Sequence, residues 1–265
     1  MNWTEKALKI LQPNDAATQA ILSTGSGSPT SMVVLCHGFL SNKNSHTNTR
    51  LTELLVSLGI GTVRFDWVGM GESEEKFEDV TVSACIRQLD SILGFLVSEG
   101  YQNLGLIGSS FGGLISLLVS PNHPKIQTIG LKCPVPDFPE LLEKEFGKEA
   151  MTVWKRTDTI PNILGGKDPI SLKYSFYEDC SRFNAFESAR MIMAPTLIVH
   201  GDQDELVPIH QILRLEKVLP NKKRLHLLEG GNHHFARPED FRKMTTLLAE
   251  WMATHLSPHS IHPTG

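Results

Sequence analysis

From about residue 32 onward, the chain alternates short runs of β-branched and other apolar residues with longer amphipathic segments. The short runs are typical of buried strands, and they lie at residues 33–36, 61–65, 104–107, 126–131, 195–200 and 224–228. The segments between them carry apolar residues at helical spacing, as Leu51, Leu54, Leu55 and Leu58 do. A regular alternation of this kind folds as a parallel sheet with helices on both faces. The sequence therefore predicts the α/β class, with a mostly parallel central sheet.

The alternation stops between residues 134 and 190. This segment has mixed charge, several prolines and no clear strand pattern, whereas a second domain with its own sheet would need further β-branched runs. We therefore predict one domain over residues 1–256, with a small, mostly helical cap inserted at about residues 134–190. Residues 257–265 contain two prolines and two histidines and are predicted to form a disordered tail.

The charge balance and the cysteine pattern exclude several classes of protein. The chain has 25 Lys and Arg against 29 Asp and Glu, so it lacks the cationic excess that binding to a nucleic-acid backbone needs. Neither the first residues nor any apolar run has the length and pattern of a targeting segment or of a membrane span. The four cysteines are 47 to 49 residues apart and form no CxxC pair, which indicates a reducing compartment. We therefore expect a cytoplasmic protein with no membrane span and no nucleic-acid partner.

Residues 108–112 read Gly-Ser-Ser-Phe-Gly and match the pattern G-x-S-x-G. In this pattern the glycines allow a serine to sit on a tight turn between a strand and a helix. The match lies where such a turn is expected, between the strand at residues 104–107 and a small-residue-rich helix at residues 111–119. Because the context agrees with the motif, Ser110 is a candidate nucleophile.

A serine hydroxyl is a poor nucleophile at neutral pH, so it needs a histidine to accept its proton and a carboxylate to orient that histidine. Asp202 and Asp204 follow the strand at residues 195–200, and His233 and His234 follow the strand at residues 224–228. Both loops leave the carboxyl ends of strands, the edge at which open α/β sheets build their sites. Spacing alone does not choose between the two aspartates or between the two histidines, since each could also be a helix cap or a surface residue.

The tetrahedral intermediate of acyl transfer also needs two hydrogen-bond donors for its oxyanion. The backbone N–H of Phe111, directly after the candidate nucleophile, supplies one donor, and the N–H of Phe39, in the loop after the first core strand, supplies the other. We interpret His37 as a buried imidazole that holds this loop, and Asp66 as the anchor of a tight glycine-rich turn.

Other chemistries lack their motifs. The sequence contains no G-x-G-x-x-G and no G-x-x-x-x-G-K-[ST], so it does not predict a dinucleotide or nucleoside triphosphate. It also lacks H-E-x-x-H and an EF-hand loop, and adjacent histidines do not have the spacing of metal ligands on one face. We therefore expect no cofactor and no metal.

Taken together, these motifs and the chain order Ser, Asp, His resemble the α/β-hydrolase superfamily over most of the sequence. Within it, the chain is similar to the bacterial cinnamoyl and feruloyl esterases, on residues 37–39 (HGF), 61–66 (GTVRFD), 69–73 (GMGES) and 76–82 (KFEDVTV). The resemblance implies an α/β-hydrolase fold with the cap inserted after the sixth strand. The pattern D-x-x-V-P assigns the acid to Asp204, and the pattern G-x-x-H-x-F assigns the base to His233.

The chain departs from those esterases around the nucleophile. Their elbow usually reads Gly-His-Ser-Gln-Gly, whereas Ser109 and Phe111 flank the serine here, and Met70 replaces a glycine-flanked histidine. The resemblance therefore implies ester hydrolysis more strongly than it implies a hydroxycinnamate substrate.

The function expected from the sequence is that of a serine hydrolase that cleaves small carboxylic esters, with feruloyl or cinnamoyl esters among the candidates. The same three residues could serve a lysophospholipase, a monoacylglycerol lipase or an aminopeptidase-like amidase, and some α/β-hydrolase folds are ligand receptors. The cap aromatics Trp154, Tyr174 and Phe176 are candidates for an apolar substrate pocket, the alternative being that they form the core of the cap. The sequence makes no prediction of oligomeric state.

Overall fold

The computed structural model describes residues 3–12, 17–25, 29–160, 170–220 and 222–256. In these residues the main element is an eight-stranded sheet, flanked by helices on both faces. This architecture confirms the predicted class. None of the described helices combines the length and the apolar character needed to cross a bilayer. The predicted tail at residues 257–265 lies outside the described residues.

The strands follow the predicted alternation, with additions at the amino terminus and in the cap. In chain order they are β1 (Thr4–Leu11), β2 (Ala17–Thr24), β3 (Ser31–Cys36), β4 (Gly61–Phe65), β5 (Asn103–Ser109), β6 (Ile126–Lys132), β7 (Thr159–Ile160), β8 (Ile170–Ser171), β9 (Thr196–Gly201) and β10 (Lys223–Leu228). The large sheet has the order β1-β2-β4-β3-β5-β6-β9-β10. Its pairs from β4 to β10 are parallel, and only the pairs that involve β2 are antiparallel.

The helices of the described residues connect these strands and form most of the cap. They are α1 (His46–Ser57), α2 (Val82–Ser98), α3 (Phe111–Val119), α4 (Phe138–Thr157), α5 (Ser175–Cys180), α6 (Ala185–Arg190), α7 (Ile209–Val218) and α8 (Pro238–Leu256). Helices α1 and α8 pack together on one face of the sheet, and α2, α3 and α7 contribute their apolar residues to the other face.

Strand β3 illustrates why the central strands are almost wholly apolar. All six of its residues are buried, because neighbouring strands pair with it on both edges and helices cover both faces. Val34 and Cys36 face the core beneath α2 and α3, whereas Val33 and Leu35 face the core beneath α1 and α8. At roughly 1.5–3 kcal/mol for each large apolar side chain buried, such strands contribute strongly to the stability of the sheet.

The hairpin of β1 and β2 was not predicted from the sequence. Strand β1 is the edge strand, and most of its residues are exposed. Charged residues interrupt its apolar pattern, so that Ile10 is its one fully buried apolar residue among those described. An edge strand pairs with one neighbour only, and most of the side chains of β1 face water. It therefore needs no continuous apolar run.

The cap lies between β6 and β9, after the sixth strand as predicted, and its described residues are mostly helical. Its longest helix, α4, is broken at Gly147, whose φ of 69° and ψ of 173° lie outside the helical region. The short antiparallel pair β7–β8 is an addition to the prediction, which gave the cap no strands. Two residues in each strand are too few to produce a recognisable alternation in the sequence.

Candidate active site

Ser110 occupies a strained turn between β5 and α3. Its φ of 52° and ψ of −114° are rare for a residue with a side chain, and they turn the chain sharply from the strand into the helix. The flanking glycines are required by close backbone contacts. A Cβ at Gly108 would lie 2.6 Å from the Gly112 carbonyl oxygen, and a Cβ at Gly112 would collide with the Cys36 carbonyl. The motif therefore has a steric cause at each of its fixed positions.

The structure brings Ser110, His233 and Asp204 into one hydrogen-bonded series. Nε2 of His233 lies 3.1 Å from Oγ of Ser110, and Nδ1 of His233 lies 2.8 Å from Oδ2 of Asp204. The three residues follow β5, β10 and β9, so they meet at the carboxyl edge of the parallel strands. The side chains of Asp204 and His233 are 1% and 5% exposed, which excludes most water from the series.

The two alternatives left open by the sequence lie elsewhere. Oδ1 of Asp202 accepts a hydrogen bond from the Gly230 N–H at 2.6 Å and so links the loop after β9 to the loop after β10. His234 is exposed, and its ring centre is 5.3 Å from that of His233. Neither side chain forms a hydrogen bond with Ser110 or with His233 among the described residues.

The environment of Asp204 keeps its carboxylate charged. Burial alone would raise its pKa, but the hydrogen bond from His233 and the amide of Val207 favour the charged form and lower the pKa to about 2. Oδ1 accepts from the N–H groups of Leu206 and Val207, at 3.0 and 2.8 Å. The carboxylate is thus fixed on one side by the backbone and presents its other oxygen to His233.

Burial lowers the pKa of His233 below its ordinary value, and the positive charge of Lys132 lowers it further, while the hydrogen bond to Asp204 acts in the opposite direction. The imidazole is therefore neutral at pH 7. A neutral imidazole with Nδ1–H directed at Asp204 leaves Nε2 free to accept a proton from Ser110.

Lys132 is a site residue that the sequence analysis missed. It ends β6, the strand between β5 and β9, and it is only 4% exposed. Its Nζ donates to the His233 carbonyl oxygen at 2.5 Å, and its own carbonyl oxygen accepts from the Ser110 N–H at 2.9 Å. Lys132 thereby connects the backbone of the serine to the backbone of the histidine. No local pattern in the sequence marks this lysine, because its hydrogen-bond acceptor lies 101 positions further along the chain.

The N–H groups of Phe39 and Phe111 have no hydrogen-bond acceptor among the described residues. The loop that carries Phe39 is fixed by His37, as predicted. Nδ1 of His37 lies 2.8 Å from the Gly38 carbonyl oxygen, and its Nε2 accepts from the Trp67 N–H at 3.1 Å. Burial lowers the pKa of His37 to about 4, so this imidazole is neutral at pH 7.

Asp66 holds the neighbouring turn, as the sequence analysis expected. Its carboxylate accepts from the backbone N–H and from Nζ of Lys43, at 2.7 and 2.5 Å, and from the N–H of Glu72 at 2.9 Å. A Cβ at Gly71, whose φ is 59°, would collide with this carboxylate. Asp66 is thus engaged in structure and is remote from the chemistry of Ser110.

A cavity of about 670 Å³ opens beside Ser110 and His233, and it extends over the amino-terminal ends of α1 and α8. The predicted pocket residues Trp154, Tyr174 and Phe176 are not among its lining residues. Trp154 is fully buried, donates from Nε1 to the Leu172 carbonyl oxygen, and has its ring centre 5.3 Å from that of Tyr174. Trp154 and Tyr174 pack against each other inside the cap, and their part in a substrate pocket stays a prediction.

Phe176 belongs to a group of five rings, the phenylalanine cluster, in which cap residues Phe138 and Phe176 pack against Phe39 and Phe111. Its members are Phe39, Phe77, Phe111, Phe138 and Phe176. The ring centre of Phe39 is 5.2 to 5.5 Å from those of the other four. Such tilted and edge-to-face contacts stabilise a packed core and leave no room for a ligand between the rings.

One group of potential metal ligands occurs among the described residues. Donor atoms of Cys133, His200 and Asp204 lie within 4.8 Å of one another. Burial raises the pKa of the Cys133 thiol to about 12, which opposes the thiolate that a metal requires. Since Asp204 is also engaged by His233 and by two amides, these donors fit a resident metal poorly.

Comparisons with known proteins agree with this architecture. A family model described as "Alpha/beta hydrolase family" matches residues 33–244. The mitochondrial palmitoyl-protein thioesterase ABHD10 of Rattus norvegicus is 27% identical over 218 residues, covering 78% of this chain and 70% of the relative. The human protein of the same name is 26% identical over 220 residues, covering 79% of this chain and 69% of the relative.

Two solved structures show the same fold at low sequence identity. Est1E from Butyrivibrio proteoclasticus with bound ferulic acid has a TM-score of 0.82 and 22% identity, covering 94% of this chain and 99% of that chain. Alpha/beta hydrolase domain-containing protein 10 from mouse has a TM-score of 0.79 and 19% identity, covering 94% and 99%.

Proposed function

Because the chain belongs to the alpha/beta hydrolase family, we propose that it hydrolyses carboxylic esters through an acyl-enzyme on Ser110. The observation that carries the proposal is the series Ser110–His233–Asp204, with contacts of 3.1 and 2.8 Å at a buried edge of the sheet. Nucleophile, base and orienting carboxylate are each in the protonation state that the reaction needs at pH 7.

In the first half of the reaction, Nε2 of His233 accepts the hydroxyl proton as Oγ of Ser110 bonds to the ester carbonyl carbon. The carbonyl oxygen becomes an oxyanion, and the N–H groups of Phe39 and Phe111 donate to it. The intermediate then expels the alcohol, which receives its proton from His233. The product of this half is an ester between the acyl group and Ser110.

In the second half, water takes the place of the alcohol. His233 accepts a proton from water as its oxygen bonds to the acyl carbon, and it returns that proton to Oγ of Ser110 when the acid leaves. The ionised carboxylate of Asp204 stabilises the imidazolium that exists in both halves. Lys132, fixed to the His233 carbonyl, acts as a positioning residue for the base.

Thioester hydrolysis is a second candidate, because two of the relatives reported above are named as palmitoyl-protein thioesterases. A thiol is a better leaving group than an alcohol, so the same residues could serve both reactions. Phenyl butyrate and S-phenyl thiobutyrate form a matched pair that compares them. Methyl ferulate, long-chain acylglycerols, lysophospholipids and amino-acid anilides in the same panel test the feruloyl esterase, lipase, lysophospholipase and amidase alternatives.

The relatives' names also bear on location. They place those proteins in mitochondria, whereas the sequence of this chain predicts a cytoplasmic protein. Fractionation of cells that express the full chain distinguishes the two locations, and the cytoplasmic one stays a prediction until then.

The test of the proposed function is the Ser110→Ala variant. We expect its kcat on 4-nitrophenyl butyrate to fall by about 10⁴-fold or more, since the nucleophile is lost. An unchanged melting temperature controls for folding. A variant that retains its rate would contradict the proposal. If a fluorophosphonate labels Ser110 but the wild-type protein turns over no substrate of the panel, the ligand-receptor alternative is favoured instead.

A further inference from the structure

The charged residues in the described lining of the cavity beside Ser110 are all basic. Its described lining residues include Lys132, Arg50 and Arg242, together with three histidines, and none of them is Asp or Glu. The whole chain has four more acidic than basic residues. The composition of the chain therefore does not account for a cavity that has several cationic groups and no acidic group among its described residues.

Lys132 brings a buried positive charge to this cavity. It is 4% exposed, and its ammonium group contacts the His233 carbonyl at 2.5 Å and the Phe235 ring at 5.6 Å from the ring centre. No carboxylate forms a salt bridge with it among the described residues. A buried ammonium group that has only neutral partners is poorly compensated, and an anion bound in the cavity would compensate it.

The two arginines lie at the outer part of the cavity, on α1 and α8. Arg242 is exposed and has no salt-bridge partner among the described residues. Arg50 pairs with Glu53 at 2.9 Å, and both side chains are largely exposed. Guanidinium groups suit carboxylates and phosphates, to which they can donate two parallel hydrogen bonds.

The walls of the cavity are held together by a ring contact between the two helices. The imidazole of His46, at the start of α1, stacks on the Phe241 ring of α8, with ring centres 4.2 Å apart and an interplanar angle of 9°. Since both residues line the cavity, this contact fixes the distance between the two basic walls.

The position of the cavity relative to His233 indicates which part of a substrate enters it. His233 gives its proton to the leaving group, and the segment that follows it contributes His234, Phe235, Ala236 and Arg242 to the lining. The ring of Phe111, the residue after Ser110, packs instead against Phe138 of the cap, with ring centres 5.6 Å apart. The leaving group is therefore the part that lies among the basic residues.

We propose that this cavity binds an anionic group, a carboxylate or a phosphate, carried on the leaving alcohol or thiol of the substrate. Arg50 and Arg242 contact the anion at the outer end of the leaving group, and Lys132 provides the positive field near Ser110. The inference rests on the proposed function, because it deepens the substrate class of the same site.

Matched esters test the proposal. We would measure kcat/KM for 4-carboxyphenyl butyrate and 4-phosphonophenyl butyrate against neutral 4-carbamoylphenyl butyrate, each divided by its own hydroxide-catalysed rate. We expect the anionic esters to be preferred at least about tenfold at low salt, and the preference to shrink as salt screens the charges. The two anionic arms show whether carboxylate or phosphate fits better.

Two variants and one control assign the effect to the residues. In Arg242→Gln and in Arg50→Gln, the ratio of anionic to neutral kcat/KM should fall by about three- to fivefold, as expected for partly exposed charges. Lys243→Gln removes the same charge from the neighbouring exposed position on α8, outside the lining, and should leave the ratio unchanged. Equal rates for the anionic and neutral esters, or a ratio insensitive to both arginine variants, would overturn the proposal.

Binding to the Ser110→Ala protein gives a readout that does not depend on turnover. Calorimetry should detect tighter binding of 4-hydroxybenzoate than of the neutral 4-hydroxybenzamide, and equal affinities would count against the anion site. If wild-type protein hydrolyses the neutral ester without an anion preference, the anion site fails and the proposed function stands. If anions bind but no ester is turned over, the proposed function fails and the anion site stands.

Discussion

The two sides of Ser110 are built mainly from different side chains, with Phe39 common to both. On the cap side, the phenylalanine cluster packs ring against ring. On the side of α1 and α8, an open cavity has a basic lining. The cap aromatics Trp154, Tyr174 and Phe176 do not line this cavity, whose described lining carries three basic residues and no acidic one. Proximity to a nucleophile does not by itself make an apolar residue part of a substrate pocket.

The largest loss of activity is expected from a change at Asp204, the residue that orients His233. The Asp204→Asn variant should lower kcat on 4-nitrophenyl butyrate by about 10⁴-fold, because the amide does not orient His233 in the required tautomer or stabilise its charged form. Asp202→Asn is the matched control, since its side-chain oxygen can still accept from the Gly230 N–H, and it should change kcat little. If the two variants lost activity equally, the distinction between the two aspartates would be wrong.

The next effect is on the aromatic side, and it concerns stability rather than chemistry. Phe176 is fully buried, so Phe176→Ala should lower the free energy of unfolding by about 3–5 kcal/mol, measured by chemical denaturation. Phe77→Ala serves as the comparison, because Phe77 is only partly buried and its loss should cost less. A stable Phe176→Ala protein with a raised KM would show instead that Phe176 belongs to a substrate pocket.

A smaller effect is expected where the two sides meet, at Lys132. Lys132→Met removes the hydrogen bond to the His233 carbonyl and should lower kcat by about tenfold. It also removes a positive charge that lowers the pKa of His233, so the acid limb of the pH–rate profile should move to higher pH. Lys125→Met, at an exposed lysine just before β6, should change neither quantity. An unmoved acid limb in Lys132→Met would argue that this lysine is structural only.

The smallest expected change is a shift of the acid limb of the wild-type pH–rate profile to below the ordinary histidine pKa of 6.5. Neutral His233 is the active form, and burial lowers its pKa below 6.5, so kcat/KM should rise with pH through a value below 6.5 and then stay level to pH 8. A limb above pH 6.5 would contradict the assigned environment.

Stability must be monitored in the same titration. His37 and His200 have pKa values lowered by burial to about 4, so the unfolded chain binds more protons than the folded one between about pH 4 and 6.5. Folding stability therefore falls as the pH falls through this window. Protein returned from low pH to pH 7.5 should regain its full rate, which excludes irreversible unfolding as the cause of the acid limb.

Much of the fold could be predicted from the sequence, because the central strands are buried on both faces and their apolar runs are continuous. Strand β1 could not, since it is an exposed edge whose charges hide its alternation. The loss of alternation predicts a cap insertion between two strands of the sheet, whereas the pair β7–β8 is too short to leave a pattern in the sequence.

The candidate site was predictable to a different degree at each residue. Ser110 is marked by its glycines, which the backbone contacts require. Asp204 and Asp202 follow the same strand, so only their partners distinguish them. Lys132 has no local signal, because its hydrogen-bond acceptor is a carbonyl group 101 positions away. The pocket role of Trp154, Tyr174 and Phe176 stays a prediction, because aromatic composition does not reveal whether rings pack against one another or line a substrate site.

A rapid acid quench of the protein with 4-nitrophenyl butyrate, followed by peptide mass spectrometry, detects the acyl-enzyme itself. We expect the mass of one butyryl group to appear on the peptide that contains Ser110, at the same rate as the first equivalent of nitrophenol, and Ser110→Ala to show neither. Turnover without that adduct in any quenched sample, or an adduct on another residue that persists in Ser110→Ala, would contradict the proposed acyl-enzyme.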